Sequence, residues 1–180
     1  MENPVKISSI HLFIINVIRL LRVNLGLSQK DIQDILDLSS DSNLLGSVES
    51  NFRTERYHDK HLNKLAIAFT KIASEQGKDI SYTVSDFYPP VNFKEEMIEK
   101  IVVKIEPTEL KQTGILYLLL EEENDPFFND WHTSKEIAQY CGGKAGKNWG
   151  SKDFTAVIEY AVKKGKLIRK SEDEALFKRP

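Results

Sequence analysis

The chain has 180 residues, 41% of them hydrophobic and 29% charged, with a formal net charge of −2, a balance suited to one large or two small globular domains. A single cysteine, Cys141, excludes a disulfide scaffold, and no run approaches the roughly 20 apolar residues that span a bilayer. The amphipathic pattern after Lys6 is unlike a secretory leader, so the cytoplasm is the expected location.

The first half reads as a string of helices. Ile10, Phe13, Ile14, Val17, Leu20 and Leu21 recur at helical spacing behind the caps Ser8 and Ser9, and Gly26 ends that helix. Ser28 opens a second helix, with Asp31 as its capping-box partner and Ile32, Ile35 and Leu36 as its buried stripe. After the polar turn Ser39-Ser40-Asp41-Ser42, the residues Leu44, Leu45 and Val48 suggest a third helix. A fourth runs over about residues 58–74, with Leu62, Leu65, Ala66 and Phe69 facing inward. Tyr88-Pro89-Pro90 stops regular structure and is the expected domain boundary. Residues 91–107 read as a linker or dimerisation segment. Phe93, Met97, Ile101 and Ile105 fit a helix, while Ile101-Val102-Val103-Lys104-Ile105 also fits a strand.

In the second half, Thr108 is expected to cap a helix to about Glu122, with Ile115, Leu116 and Leu119 apolar. Thr133-Ser-Lys-Glu136 forms another capping box, opening a helix that includes Ile137 and Tyr140. Residues 142–150 read as a loop. Ser151 opens a helix with Phe154, Val157, Ile158, Ala161 and Val162 inside, and Gly165 stops it; residues 166–170 and 175–178 then suit a hairpin. Charge is unevenly spread: residues 91–141 hold five Lys against eleven Asp and Glu, and residues 142–170 hold eight Lys and Arg against two acids. Such polarity orients a protein on a phosphate backbone, or is simply a solvated face.

Residues 25–53 are the segment with a chemical use. A helix, a polar turn and a short second helix present free amides and a partial positive charge to a phosphate or base edge. Short polar side chains there fit a major groove. The strings Gly26-Leu-Ser-Gln-Lys-Asp-Ile-Gln-Asp-Ile-Leu36, Leu44-Leu-Gly-Ser-Val-Glu-Ser50, Tyr57-His-Asp-Lys-His-Leu-Asn-Lys-Leu-Ala66 and Ser85-Asp-Phe-Tyr-Pro89 resemble the Cro/C1-type helix-turn-helix family over about residues 8–90. That resemblance implies a five-helix, lambda-repressor-like DNA-binding domain. It assigns DNA contact to Gln29 and structural roles to Val48 and Glu49. The turn from Leu38 to Leu44 is about two residues longer than the common form, and the third helix is poor in Arg and Lys. The expected base readers are Ser40, Asp41, Ser42, Asn43 and Ser47, with Lys30, Arg53, Arg56, Lys60 and Lys64 on phosphates.

The last part of the chain, residues 108–180, resembles a winged helix. That implies a second set of DNA contacts, Lys144, Lys147, Lys152, Lys163, Lys164, Lys166, Arg169 and Lys170, with Trp149 stacking or packing. A dimerisation or effector module fits the same pattern. Other motifs fail. Gly142-Gly-Lys-Ala-Gly-Lys-Asn148 lacks the first glycine and the Ser or Thr of a Walker loop. His58 and His61 lack a third metal ligand and read as surface residues, and His132 and Cys141 do not form a nucleophile–base pair. The expectation is therefore a mainly α protein with a helix-turn-helix domain (1–90) and a winged-helix-like α+β domain (108–180). It would be no enzyme and have no cofactor, and would bind double-stranded DNA as a homodimeric transcriptional regulator, a repressor. The alternative is a protein-interaction or antitoxin-like module that keeps the fold without strong DNA binding.

Overall fold

The computed structural model of the protein describes residues 4–39 and 42–180. It is mainly helical with small sheets, and divides into two compact units, Met1–Lys104 and Ile105–Pro180.

The first unit begins with β1 (Lys6–Ser8), which runs into α1 (Ser9–Asn24). Ser8 is the N-cap: its hydroxyl accepts from Ile10 N at 3.3 Å. Of the residues expected to line α1's inner face, Ile14 is buried; Leu12, Ile15, Ile18 and Val23 are buried as well. The helix is apolar nearly all round because neighbours cover it on more than one side. Gly26 (φ 71°) adopts the left-handed conformation that stops it. Next come α2 (Gln29–Ile35), α3 (Leu44–Val48) and α4 (Asp59–Glu75). Leu62, Leu65, Ala66 and Phe69 of α4 pack with Ile32, Leu45 and Val48 into one core. Each large apolar side chain so enclosed contributes roughly 1.5–3 kcal/mol.

In place of a fifth α-helix there is a 3-10 turn, Val84–Phe87, whose Phe87 ring meets Phe69 edge-on at 6.1 Å. The double proline at 89–90 prevents it from lengthening. The unit does not end there. Residues 97–99 form β2 (Met97–Glu99), antiparallel to β1 with Lys6 opposite Glu99, Ile7 opposite Ile98 and Ser8 opposite Met97. Residues 91–104 thus belong to the first unit, and the stripe Phe93, Met97, Ile101 is not one helical face. The period is two: Ile98, Lys100 and Val102 point inward, while Met97, Ile101 and Val103 are exposed.

In the second unit Thr108 does not cap a helix. Pro107–Glu109 is a separate 3-10 turn closed by the Glu109 carboxylate on Glu106 N (2.9 Å), and Leu110 is extended. The helix α5 (Gln112–Tyr117) starts after it and widens into a π-type coil over Leu118–Glu122. β3 (His132–Thr133) precedes α6 (Ser134–Ala145), α7 (Ser151–Lys163), β4 (Ile168–Arg169) and β5 (Leu176–Lys178). The sheet order is β3-β5-β4, all antiparallel.

The glycine-rich stretch expected as a loop is partly helix. α6 continues through Gly142 and Gly143 to Ala145 and ends at Gly146 (φ 63°). Gly142 is required there by close approach, since a Cβ would lie 2.5 Å from Lys147 O, whereas a Cβ on Gly143 would meet nothing within 4 Å. Gly142→Ala should therefore lower stability by about 1–3 kcal/mol, and Gly143→Ala should raise it by about 0.5–1 kcal/mol. Thermal unfolding of the two variants checks this pair of opposite signs.

Candidate nucleic-acid interface

The start of α2 is fixed by its cap. Ser28 Oγ accepts from Asp31 N at 3.1 Å, and Asp31 Oδ2 accepts from Ser28 N at 2.7 Å. Gln29 and Lys30 are left exposed on the first turn. Gln29 Nε2 donates to Glu49 Oε2 at 2.9 Å. The same oxygen lies 3.3 Å from Arg22 Nη2 and 3.5 Å from Arg19 Nε. Arg22 Nη1 also donates to Leu27 O at 2.9 Å, so α1, the start of α2 and the end of α3 meet at one carboxylate. The Arg22 and Glu49 side chains are only 3% and 8% exposed, and a carboxylate so placed depends on its cations. Tyr57, buried beside Glu49, has its hydroxyl pushed up, first by burial and then by that carboxylate.

Gln33 Nε2 donates to Ser42 O at 2.9 Å, holding the middle of α2 to the segment that leads into α3. Of the expected base readers, Ser40 and Asp41 lie outside the described residues. Ser42 Oγ accepts from Leu44 N at 3.4 Å. Asn43 is exposed and its carboxamide folds over Gly46. Ser47 is half-buried, its carbonyl engaged by Lys100.

The expected phosphate cations divide into two groups. Lys30, Arg53 and Lys60 are exposed and their side chains have no partner among the described residues. Arg56 Nη1 lies 3.4 Å from His11 Nδ1. Lys64 is committed to the end of α2: its ammonium is 2.6 Å from Asp37 Oδ2 and 3.4 Å from Leu36 O. Asp37 reaches it because its backbone is left-handed (φ 53°), turning the chain out of the helix. His61 is buried rather than on the surface, and its Nδ1 accepts from His58 N at 3.3 Å. Burial, then the neighbouring His58, Lys60 and Lys64 charges, hold its imidazole below the usual histidine range.

Sequence reading missed Lys100. Its side chain is fully buried, and its ammonium donates to Ser47 O, Arg53 O and Glu55 O at 3.2, 2.7 and 3.3 Å. With β2 only three residues long, no sequence period marked it; the inward alternation of 98, 100 and 102 is visible only in the structure.

In the second unit most of the expected cations are already paired. Lys144 Nζ is 3.4 Å from Asp125 Oδ2 and 5.3 Å above the Tyr140 ring. Lys147 donates to Leu110 O at 2.6 Å and lies over Trp149. Trp149 itself packs on Phe154 at 5.6 Å. Lys166 pairs with Glu121 at 2.7 Å, Arg169 with Glu159 at 3.8 Å and Lys170 with Glu174 at 2.7 Å. Lys152 and Lys163, at the two ends of α7's exposed face, have no side-chain partner among the described residues. The exposed pairs of Lys166, Arg169 and Lys170 are worth about 0–1 kcal/mol each.

Asp125 accepts from the Tyr140 hydroxyl at 2.8 Å and from Phe127 N at 2.9 Å. Burial pushes its carboxyl up, but these donors and Lys144 outweigh that and hold it below the usual range. The Phe127 ring is stacked between His132 (3.7 Å) and Tyr140 (3.9 Å). Cys141 is buried and its thiol is pushed up to about 12, first by burial and then by Asp125, so it stays protonated at neutral pH. Compared with protein-family models, with curated proteins and with solved structures, the chain finds no match.

Glu49→Ala leaves Arg22 buried without its carboxylate and should cost about 3 kcal/mol in urea unfolding. His61 takes up its proton less readily folded than unfolded, so its contribution is intact above the unfolded value of 6.5 and is lost as the pH falls below it. The thermal midpoint should drop between about pH 7.5 and about 5.5, and His61→Gln should flatten that dependence.

Proposed function

We propose that the chain is a sequence-specific DNA-binding transcriptional regulator of the Cro/C1-type helix-turn-helix class, acting as a homodimeric repressor. The observation that carries this reading is the exposed start of α2, pinned to the end of α3 through Gln29 and Glu49, in a unit whose exposed cations Lys30, Arg53 and Lys60 have no side-chain partner among the described residues. Held in this way, α2 and α3 form a rigid wedge: Gln29 and Asn43 supply base-edge donors and acceptors, and the cations meet the phosphates on either side. Two such wedges on a two-fold axis read half-sites about one helical turn apart.

The second unit supports the reading from a different direction. Three helices, a strand before the second helix and a closing hairpin in the order β3-β5-β4 are the elements a winged helix would use, which supports that reading. α7 then supplies a second phosphate-contacting face through Lys152 and Lys163, with Lys144, Lys147, Lys166 and Arg169 released from their intramolecular partners on demand. A protein-interaction or antitoxin-like module is the second reading. What favours it is that α3, Leu-Leu-Gly-Ser-Val, carries no cation.

Binding to random duplex DNA at low salt separates the two. A DNA-binding protein shows affinity that falls with log salt at a slope of roughly −3 or steeper if at least three cations per chain meet phosphates. Gln29→Ala and Asn43→Ala should each weaken binding to a selected site by about 1–3 kcal/mol. Lys60→Ala should weaken all sequences alike and lower the slope by about one. A wild-type chain that ignores duplex DNA at low salt defeats the DNA reading.

A further inference from the structure

The loop between α3 and α4 carries Arg53, one of the cations the proposed function uses, together with Arg56, yet residues 50–58 contain no helix or strand. Three of its backbone carbonyls, those of Asn51, Arg53 and Glu55, find their partners in two other segments. Lys100 donates to the carbonyls of Arg53 and Glu55, and to that of Ser47 at the end of α3. With three donors on three carbonyls, the ammonium's capacity is filled. Asn51 completes the attachment: its carbonyl accepts from Val5 N at 3.0 Å and its side chain accepts from Val102 N at 2.9 Å. β2 and the residues just after it therefore form a strap that shapes the loop.

The strap is held mainly by polar contacts, with Arg19 donating to Val103 O besides the bonds of Lys100 and Val102. It pairs with three residues of β1, adds Lys100 N on Val5 O at 2.8 Å and Val103 N on Asn16 Oδ1 at 3.1 Å, and turns Met97, Ile101 and Val103 outward instead of into the core. Apolar burial is confined to Ile98 and Val102, which pack half-buried against the core, so most of the holding is polar. The strap ends at Lys104, and the second unit begins at the next residue.

We infer that residues 97–104 are a releasable brace, in which Lys100 orders the Arg53–Arg56 loop while the strap is docked and frees it when the strap lifts, so that the chain junction at Lys104 controls the grip on DNA. Lys100 is a positioning residue: it touches no phosphate and acts through the carbonyls on either side of Arg53. The regulatory part rests on the DNA-binding reading; the ordering of the loop does not.

Two full-length variants test this. Lys100→Met keeps the apolar stem and removes the ammonium. Amide hydrogen exchange over residues 50–58 should rise at least about tenfold, since three charge-assisted hydrogen bonds are lost and one alone corresponds to about that factor, while α1 and α4 stay protected. Affinity for duplex DNA should fall about tenfold with no change in sequence preference. The second variant, Lys6→Cys with Glu99→Cys, places two thiols at opposed, exposed positions of the β1–β2 ladder and locks the strap on oxidation. Oxidation should slow exchange in the loop, and reduction should restore it. This arm needs no buried change, so it decides the matter even if the lysine variant fails to fold. Loop exchange that is the same in the oxidised and reduced forms overturns the brace. Loop exchange that responds as expected in a chain that ignores DNA overturns the DNA reading and leaves the brace standing.

Discussion

One carboxylate organises the first unit. Glu49 lies between Arg22 and Arg19 of α1 and the carboxamide of Gln29 at the head of α2, at the point where α3 ends. A charge with so little access to water is tolerated only while its partners stay in place. The requirement runs in both directions: α1 must present its arginines, α2 must begin where it does, and α3 must stop at Val48. Hydrophobic packing of Ile32, Leu45 and Val48 supplies the adhesion, but it is not directional. The ion cluster selects one mutual placement from the several that such packing allows.

Features encoded within a few residues were legible in the sequence. The capping boxes at Ser28–Asp31 and Thr133–Glu136 and the left-handed stops at Gly26 and Gly165 depend on neighbouring residues alone, and each forms where its local sequence calls for it. The inward residues of α4 followed from helical period in the same way. Features made by distant partners were not legible. β1 and β2 pair three residues each across about ninety positions of chain, and a three-residue strand is too short to show a period. Gly142 and Gly143 read as loop residues because glycine usually marks loops. Only the approach of the Lys147 carbonyl explains why one of them stands inside a helix.

The candidate site divides along the same line. Gln29 was singled out by the family resemblance, and the capping box at Ser28 exposes it on the first turn. That its amide is held by Glu49 depends on where α3 ends in space. Lys64 looked like an external cation by its helical position, but the left-handed backbone at Asp37, set by the turn after α2, brings a carboxylate to it. Lys100 was hidden for the opposite reason. Lysine is seldom fully buried, and only the ring of carbonyls from the α3–α4 loop gives its ammonium a reason to be inside.

The sheet of the second unit also sets an order of events during synthesis. β5, with its buried Phe177, lies between β3 and β4 and is the last of the three to be translated. While the nascent chain is still short of residue 178, the two outer strands lack the strand they pair with. The sheet therefore closes after Phe177 has left the ribosome, whereas the helices of the first unit can pack while translation continues.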